Sequence, residues 1–365
     1  MKIAEIISSL EQLAPPSLQE DYDNAGLITG NLSWNCTGVL CSLDATEEIV
    51  EEAKSKNCNL IVAHHPIVFR GLKKITGKNY VEKTIINAIK NDIAIYAIHT
   101  NLDNVIEGVN NKIADKLNLV NRTILSPKQN LLMKLYTFVP VEQAENVRSA
   151  LFNAGAGNIG NYSEASFNAA GTGTFKANEN ANPFVGEKGK RHEENEIKME
   201  VIFPSYLKQK IISALIEAHP YEEVAYDVVA LSNAFNKTGS GLLGELENEA
   251  PEKDLLRLIK NQFKLKVIKH TKFLDKPVKK IALCGGAGSF LIEAASAANA
   301  NVYITSDIKY HEFFDANDRI LIADIGHWES EQFTIELLHD FLRVKFPTFA
   351  VLKTGLNTNP VHYFI

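Results

Sequence analysis

The amino-acid sequence predicts an α/β protein assembled from both ends of the chain, with an α+β segment inserted between them. Segments of helical and of strand periodicity alternate from the start to about residue 127, and the same alternation returns after residue 276. Between them the texture changes to alternating strands, two helices and a Gly- and Asn-rich stretch. The predicted domains are 1–127 with 236–365 for the α/β part and 128–235 for the insert.

The elements follow in chain order. "KIAEIISSLEQLAP" has apolar residues at helical spacing and stops at Pro15 and Pro16. "GVLCSLD" reads as a strand, "ATEEIVEEAKSKN" as an amphipathic helix and "NLIVA" as a buried strand. "YVEKTIINAIKND" is then a helix and "IAIYAIHT" a strand. In the insert, "LLMKLYTFVP" alternates as a strand and "VEQAENVRSALFNAG" is a helix. "IKMEVIFPSYLKQKIISALIEAHPYEEVAYDVVAL" reads strand, helix, strand. Ala154 to Asn195 is expected to be mostly loop and irregular strand, and the whole fits a ferredoxin-like β-α-β-β-α-β module. After residue 276, "VKKIALCGG", "ANVYITSD" and "DRILIADI" are strands separated by helical segments. A single long helix, with Phe333, Leu337 and Phe341 on one face, is predicted to follow. Each end therefore reads as half of one α/β unit.

Composition limits the function classes. The chain has 365 residues, 45% hydrophobic and 22% charged, the balance of a protein with a substantial buried core. A net charge of -6 and no long basic run argue against nucleic acid or anionic lipid as partners. No apolar run approaches a membrane span, and Glu5 and Glu11 interrupt what would be a leader segment. Cys36, Cys41, Cys58 and Cys284 form no CxxC pair, which fits core thiols in a reducing cytoplasm.

Open α/β sheets place ligands at the C-terminal ends of strands, and three such ends carry metal-type side chains. His64 and His65 follow "NLIVA"; His99 and, four further on, Asp103 follow "IAIYAI"; His327 and, four further on, Glu331 follow "RILIADI". Neighbouring residues on a regular strand face opposite ways, so His64 and His65 converge only where the strand has ended, ahead of Pro66. His327 and Glu331 share a helix face, whereas Glu329 lies around it. Imidazoles and carboxylates in this mixture suit two zinc, manganese or iron ions. His99 reads more simply as a hydrogen-bonded structural residue. His311, four after Asp307, is expected to act as a general acid or base, to hold an anion, or merely to pack a short helix. "IALCGGAGSF" imitates a dinucleotide fingerprint through Gly285, Gly286 and Gly288, but Leu291 stands where the last glycine belongs. A tight turn is the simpler use of those glycines. "HPYEE" at His219 reads as a turn before an edge strand.

"YDNAGLITG", "AHHPIVFRG", "HTNLDNV", "TSDIKYHEFFDA" and "GHWESE", in that order, resemble the signature of the Nif-three-like proteins, the GTP cyclohydrolase I type 2 homologues. The resemblance covers nearly the whole chain. It implies a dinuclear site with His65 and Asp103 on one ion, His64 and His327 on the other, and Glu331 touching both. It further implies a PII-like or CutA-like insert, of which "GTGTFKANENANPFVGEKG" is a looser version, and a ring-shaped homohexamer. The activity it implies is a metal-dependent hydrolysis of a nucleotide or related small molecule, of the GTP cyclohydrolase or phosphoesterase kind. The alternative is a non-enzymatic regulatory or metal-handling hexamer sensing a small ligand through its insert.

Overall fold

A computed structural model describes residues 1–364. The chain forms two compact units, one of Met1–Pro127 with Asn236–Ile365 and the other of Lys128–Phe235.

The first unit holds two sheets. One contains β1 (Gly26–Thr29), β2 (Val39–Ser42), β3 (Leu60–Ala63), β4 (Ala94–Ala97) and β15 (Val351–Lys353), in the order β1-β4-β3-β2-β15. All neighbours pair in parallel except β1 with β4. Helices Glu47–Ser55 and Tyr80–Lys90 make the crossovers, and each starts on a side-chain cap: Thr46 accepts from the N–H of Ile49, and Asn79 from that of Glu82. β2, β3 and β4 are buried along their whole length. Leu40, Ile61 and Ile95 from them pack with Ile49, Val50 and Ile85 of the helices, each contributing about 1.5–3 kcal/mol by burial.

The second sheet contains β5 (Val120–Pro127), β10 (Gly239–Pro251), β11 (Lys269–His270), β12 (Pro277–Ala287), β13 (Val302–Ser306) and β14 (Leu321–Asp324), in the order β11-β14-β13-β12-β10-β5. Its centre, β12-β13-β14, is parallel and its flanks are antiparallel. The two chain ends form one compact unit, as expected, but each builds mainly its own sheet and lends a strand to the other: β15 joins the first, β5 the second. Strand order is a long-range choice that periodicity does not carry.

Two expectations change. The long C-terminal helix is two helices, His327–Glu331 and Thr334–Lys345. Thr334, Leu338 and Leu342 are its buried stripe, one position on from the predicted face, while Phe333 turns to pack on Phe263 with ring centroids 5.2 Å apart. Residues 236–276, for which the sequence suggested no elements, supply β10, helix Glu252–Gln262 and β11.

The inserted unit runs β6 (Leu132–Pro140), helix Ala144–Ala154, β7 (Ser166–Lys176), β8 (Arg191–Pro204), helix Lys208–Ala218 and β9 (Tyr226–Leu231), with sheet order β7-β8-β6-β9. The Gly- and Asn-rich segment is more regular than expected. β7 pairs residue for residue with β8 from Ser166 to Lys176, because a long partner strand offers a ladder that outweighs weak intrinsic preference. The two helices cover one sheet face through Val147, Leu151, Ile211 and Leu215 against Met199, Val201 and Phe203. No helix among the described residues is long and apolar enough to cross a membrane.

Candidate metal centre

His64 and His65 come directly after β3. Their N–H groups continue the pairing with β2, donating to the carbonyls of Ser42 (3.3 Å) and Leu43 (2.9 Å), and the strand then breaks at Pro66. Both rings thereby reach one place, with centroids 5.0 Å apart. Asp103 arrives on the single turn Thr100–Asp103 after β4, and His327 and Glu331 on the short helix after β14. The site is therefore built where the two sheets of the first unit present their strand ends to each other.

Each imidazole is held by its Nδ1 and presents Nε2 to the centre. His64 Nδ1 donates to the Ile98 carbonyl at 2.8 Å. His65 Nδ1 is 2.7 Å from Asp44 Oδ1, and His327 Nδ1 is 2.6 Å from Asp307 Oδ2. Oriented imidazoles backed by carboxylates or carbonyls are the usual support of a metal site. Glu331 stands between them: Oε2 is 2.9 Å from His65 Nε2 and 3.2 Å from His327 Nε2, while Oε1 is 3.9 Å from His64 Nε2.

Three trios place one ligand atom from each member within 4.8 Å of the others: His64, Asp103 and Glu331; His65, His327 and Glu331; and His64, His65 and His99. In these distances His64 lies beside Asp103 and His65 beside His327, with Glu331 within reach of all three imidazoles.

Two atoms test whether the site fits cations. His64 Nε2 and Asp103 Oδ1 are buried and have no hydrogen-bond partner, and at 3.6 Å from each other they do not satisfy one another. An unpaired buried carboxylate oxygen is costly unless a donor or a cation meets it. The donors present, imidazole nitrogens and carboxylate oxygens, fit divalent ions such as zinc, manganese or iron.

The electrostatics agree. Burial, reinforced by Glu331, raises the Asp103 carboxyl to about 7. Burial also pushes the Glu331 carboxyl up, but the His327 imidazolium beside it outweighs this and holds it well below the ordinary range. Burial alone would lower His65, yet Asp44 and Glu331 carry it up to about 9; for His327 the Glu331 and Asp307 carboxylates win, and it rises to about 11. A cation bound at the centre would compete with protons on these imidazoles.

Gly286 explains the glycine run. Its φ is +64°, and a Cβ there would lie 2.3 Å from Glu331 Oε1. The N–H of Gly285 already donates to Asn110 Oδ1 (2.9 Å) and that of Gly286 to Ser330 Oγ (3.0 Å), so neither is free to cradle a pyrophosphate.

His99 lies at the centre's edge, its ring centroid 5.2 Å from that of His64. Its Nδ1 meets Asp23 Oδ1 at 2.8 Å; burial would raise the Asp23 carboxyl, but His99 and Thr100 bring it down to about 2. Asp44, Asp23 and the holding role of Asp307 were missed in the sequence. Asp44 ends the strand "GVLCSLD", so the strand-end rule would have found it. His311 is exposed, with ring contacts to Tyr310 and Phe314. A cavity of about 500 Å³ opens beside His65 and His327, lined also by Asp44, Lys269, Trp328 and Tyr363.

The fold and the site define an α/β protein with a His and carboxylate cluster between the strand ends of two sheets. A family model described as Duf34/NIF3 (NGG1p interacting factor 3) matches residues 1–360. A Halalkalibacterium halodurans protein named GTP cyclohydrolase 1 type 2 homolog is 38% identical over 99% of both chains, and a Bacillus subtilis protein of the same name is 38% identical over 89% of this chain and 87% of its own. The crystal structure of a Bacillus cereus protein related to NIF3 superposes with a TM-score of 0.88 at 38% identity, covering 100% of this chain and 99% of the other. The chain belongs to the Duf34/NIF3 family.

Proposed function

We propose that the centre holds two divalent ions per chain and that the protein is a metal-dependent hydrolase acting on a nucleotide or related small molecule. The observation that carries this is the pair of orphaned buried atoms, His64 Nε2 and Asp103 Oδ1, facing a carboxylate shared with His65 and His327. One ion is assigned to His64, Asp103 and Glu331, the other to His65, His327 and Glu331. Two bound ions would supply Lewis acidity toward the substrate and a water acidified for attack.

The chain's own residues do the rest. Asp44 and Asp307 hold His65 and His327 in the orientation that aims Nε2 inward. The cavity beside them brings Trp328 and Tyr363, two flat surfaces suited to a heteroaromatic ring, and Lys269, whose Nζ sits 2.6 Å from Asp324. Nucleotides are the first substrates to test because the relatives bear the GTP cyclohydrolase name. His311 is assigned proton movement in this reading, and His311→Ala with metal content unchanged tests it. The homohexamer is also proposed, supported by exposed Phe290, Tyr310 and Phe314, and sedimentation tests it.

The deciding measurement is metal content per chain in protein purified without an affinity tag, beside the His64→Ala, Glu331→Gln double variant. About two ions in the wild type, lost in the variant, are expected. Metal-loaded protein is then screened for turnover, starting with GTP. No metal bound, and no uptake of zinc, manganese or iron, overturns the reading; metal bound without turnover of any nucleotide favours a binding role.

A further inference from the structure

We propose that the inserted unit carries a small-molecule site of its own, built on Glu196 and an aromatic wall, for a ligand with a flat or apolar body and an N–H donor group. The site lies wholly within residues 128–235 and does not rest on the metal-centre reading.

A cavity of about 760 Å³ opens on the sheet face that the two helices leave bare. That size suits a small organic ligand, for which ~300–1,000 Å³ is usual. Along β8, Met199, Val201 and Phe203 pack under the helices, while Glu196 and Lys198 alternate onto the other face. Glu196 is only 8% exposed. Its Oε1 accepts a hydrogen bond from the Tyr221 hydroxyl at 2.9 Å, and no lysine or arginine pairs with it among the described residues. Lys198 turns instead to Glu200, 3.1 Å away, and to the face of Tyr136.

The surroundings are shaped to present this carboxylate. A Cβ on Gly173 would stand 2.1 Å from Glu196 Oε2, so the bare strand glycine leaves the carboxylate its room. Tyr221 is set by buried His219, whose Nδ1 accepts the Tyr221 N–H at 3.1 Å and whose Nε2 donates to the Phe138 carbonyl at 3.0 Å. Phe175 and Phe184 flank Tyr221, with centroids 6.1 and 6.3 Å from it. A carboxylate only accepts hydrogen bonds, so its complement is an N–H donor. Phenyl and phenol faces attract cations and stack on flat rings. Glu222 and Glu223 join Glu196 in the lining against Lys176 and Lys198, so the cavity's charge is net acidic and favours a cationic or neutral donor over an anion.

The test is calorimetric titration of the full chain with benzamidine, a flat cation; guanosine, a neutral N–H edge; and benzoate, a flat anion. Benzamidine or guanosine is expected to bind, and whichever binds identifies the donor as cationic or neutral. Glu196→Gln should weaken that binding about 10–100-fold, the loss of hydrogen bonds to a charged acceptor. Phe184→Ala, a rim change that leaves the fold's core untouched, should weaken it about two- to tenfold and stands in if Glu196→Gln does not fold. Metal content should stay at the wild-type value in both variants. Failure of both probes to bind, equal binding by the variants, or benzoate binding as well as the others overturns the site.

Discussion

The two sides of the candidate metal centre are paired differently. On one side His65 and His327 are charge-paired through Asp44, Asp307 and Glu331, and protonated imidazoles neutralise the carboxylates. On the other, His64 leans on a neutral carbonyl, and its Nε2 and Asp103 Oδ1 are buried with no partner. The first side is satisfied by its own ion pairs, so a bound cation would have to displace protons there; the second offers two unpaired buried atoms that a cation would satisfy. Glu331 belongs to both, which couples them.

The largest effect should come from breaking that coupling. Glu331→Gln removes the shared anion and should lower metal affinity on both sides by more than the ~10–100-fold typical of losing an outer support, read by elemental analysis and competition with a chelator. Asp307→Asn and Asp44→Asn should each cost about 10–100-fold, confined to the His65 and His327 side, with the His64 and Asp103 side still loading.

Acidity sharpens the comparison next. His65, raised to about 9, and His327, raised to about 11, are protonated near neutrality in the metal-free protein. Metal binding should release protons in unbuffered solution, and apparent affinity should rise about tenfold per pH unit for each proton displaced.

The smallest effect concerns stability. Asp103 titrates in the metal-free fold at about 7, above its ordinary value, so the fold holds its proton more tightly than the unfolded chain does. Its contribution therefore falls as pH rises from the ordinary carboxylate range through about 7. Asp103→Asn should flatten that decline and raise metal-free stability at pH 8 by about 1–3 kcal/mol, measured by denaturant unfolding after chelation. With metal bound the same change should destabilise. If Asp103→Asn lowers stability in both states, the unpartnered side is not as described.

Much of the centre was legible because its logic is local. A buried strand followed at once by His64 and His65, and a His327 to Glu331 spacing of one helical turn, state their chemistry within a few residues. Asp44 obeys the same rule at the end of its own strand, whereas Asp307 stands out in the sequence only as the residue four before His311. The use of Gly286 could not be read at all, since the group it makes room for, Glu331, stands 45 residues later.

The sequence by itself determined the α/β class, the strand ends that carry the histidines and carboxylates and the class of ion such donors could hold, because side-chain period and donor chemistry are properties of short segments. Tertiary structure alone decided that there are two sheets, that β5 and β15 exchange between them, and that His65 meets Glu331 across 266 residues of chain. Those choices depend on how two sheets pack and on the direction each backbone leaves its strand, and such long-range contacts leave no periodic trace in the chain.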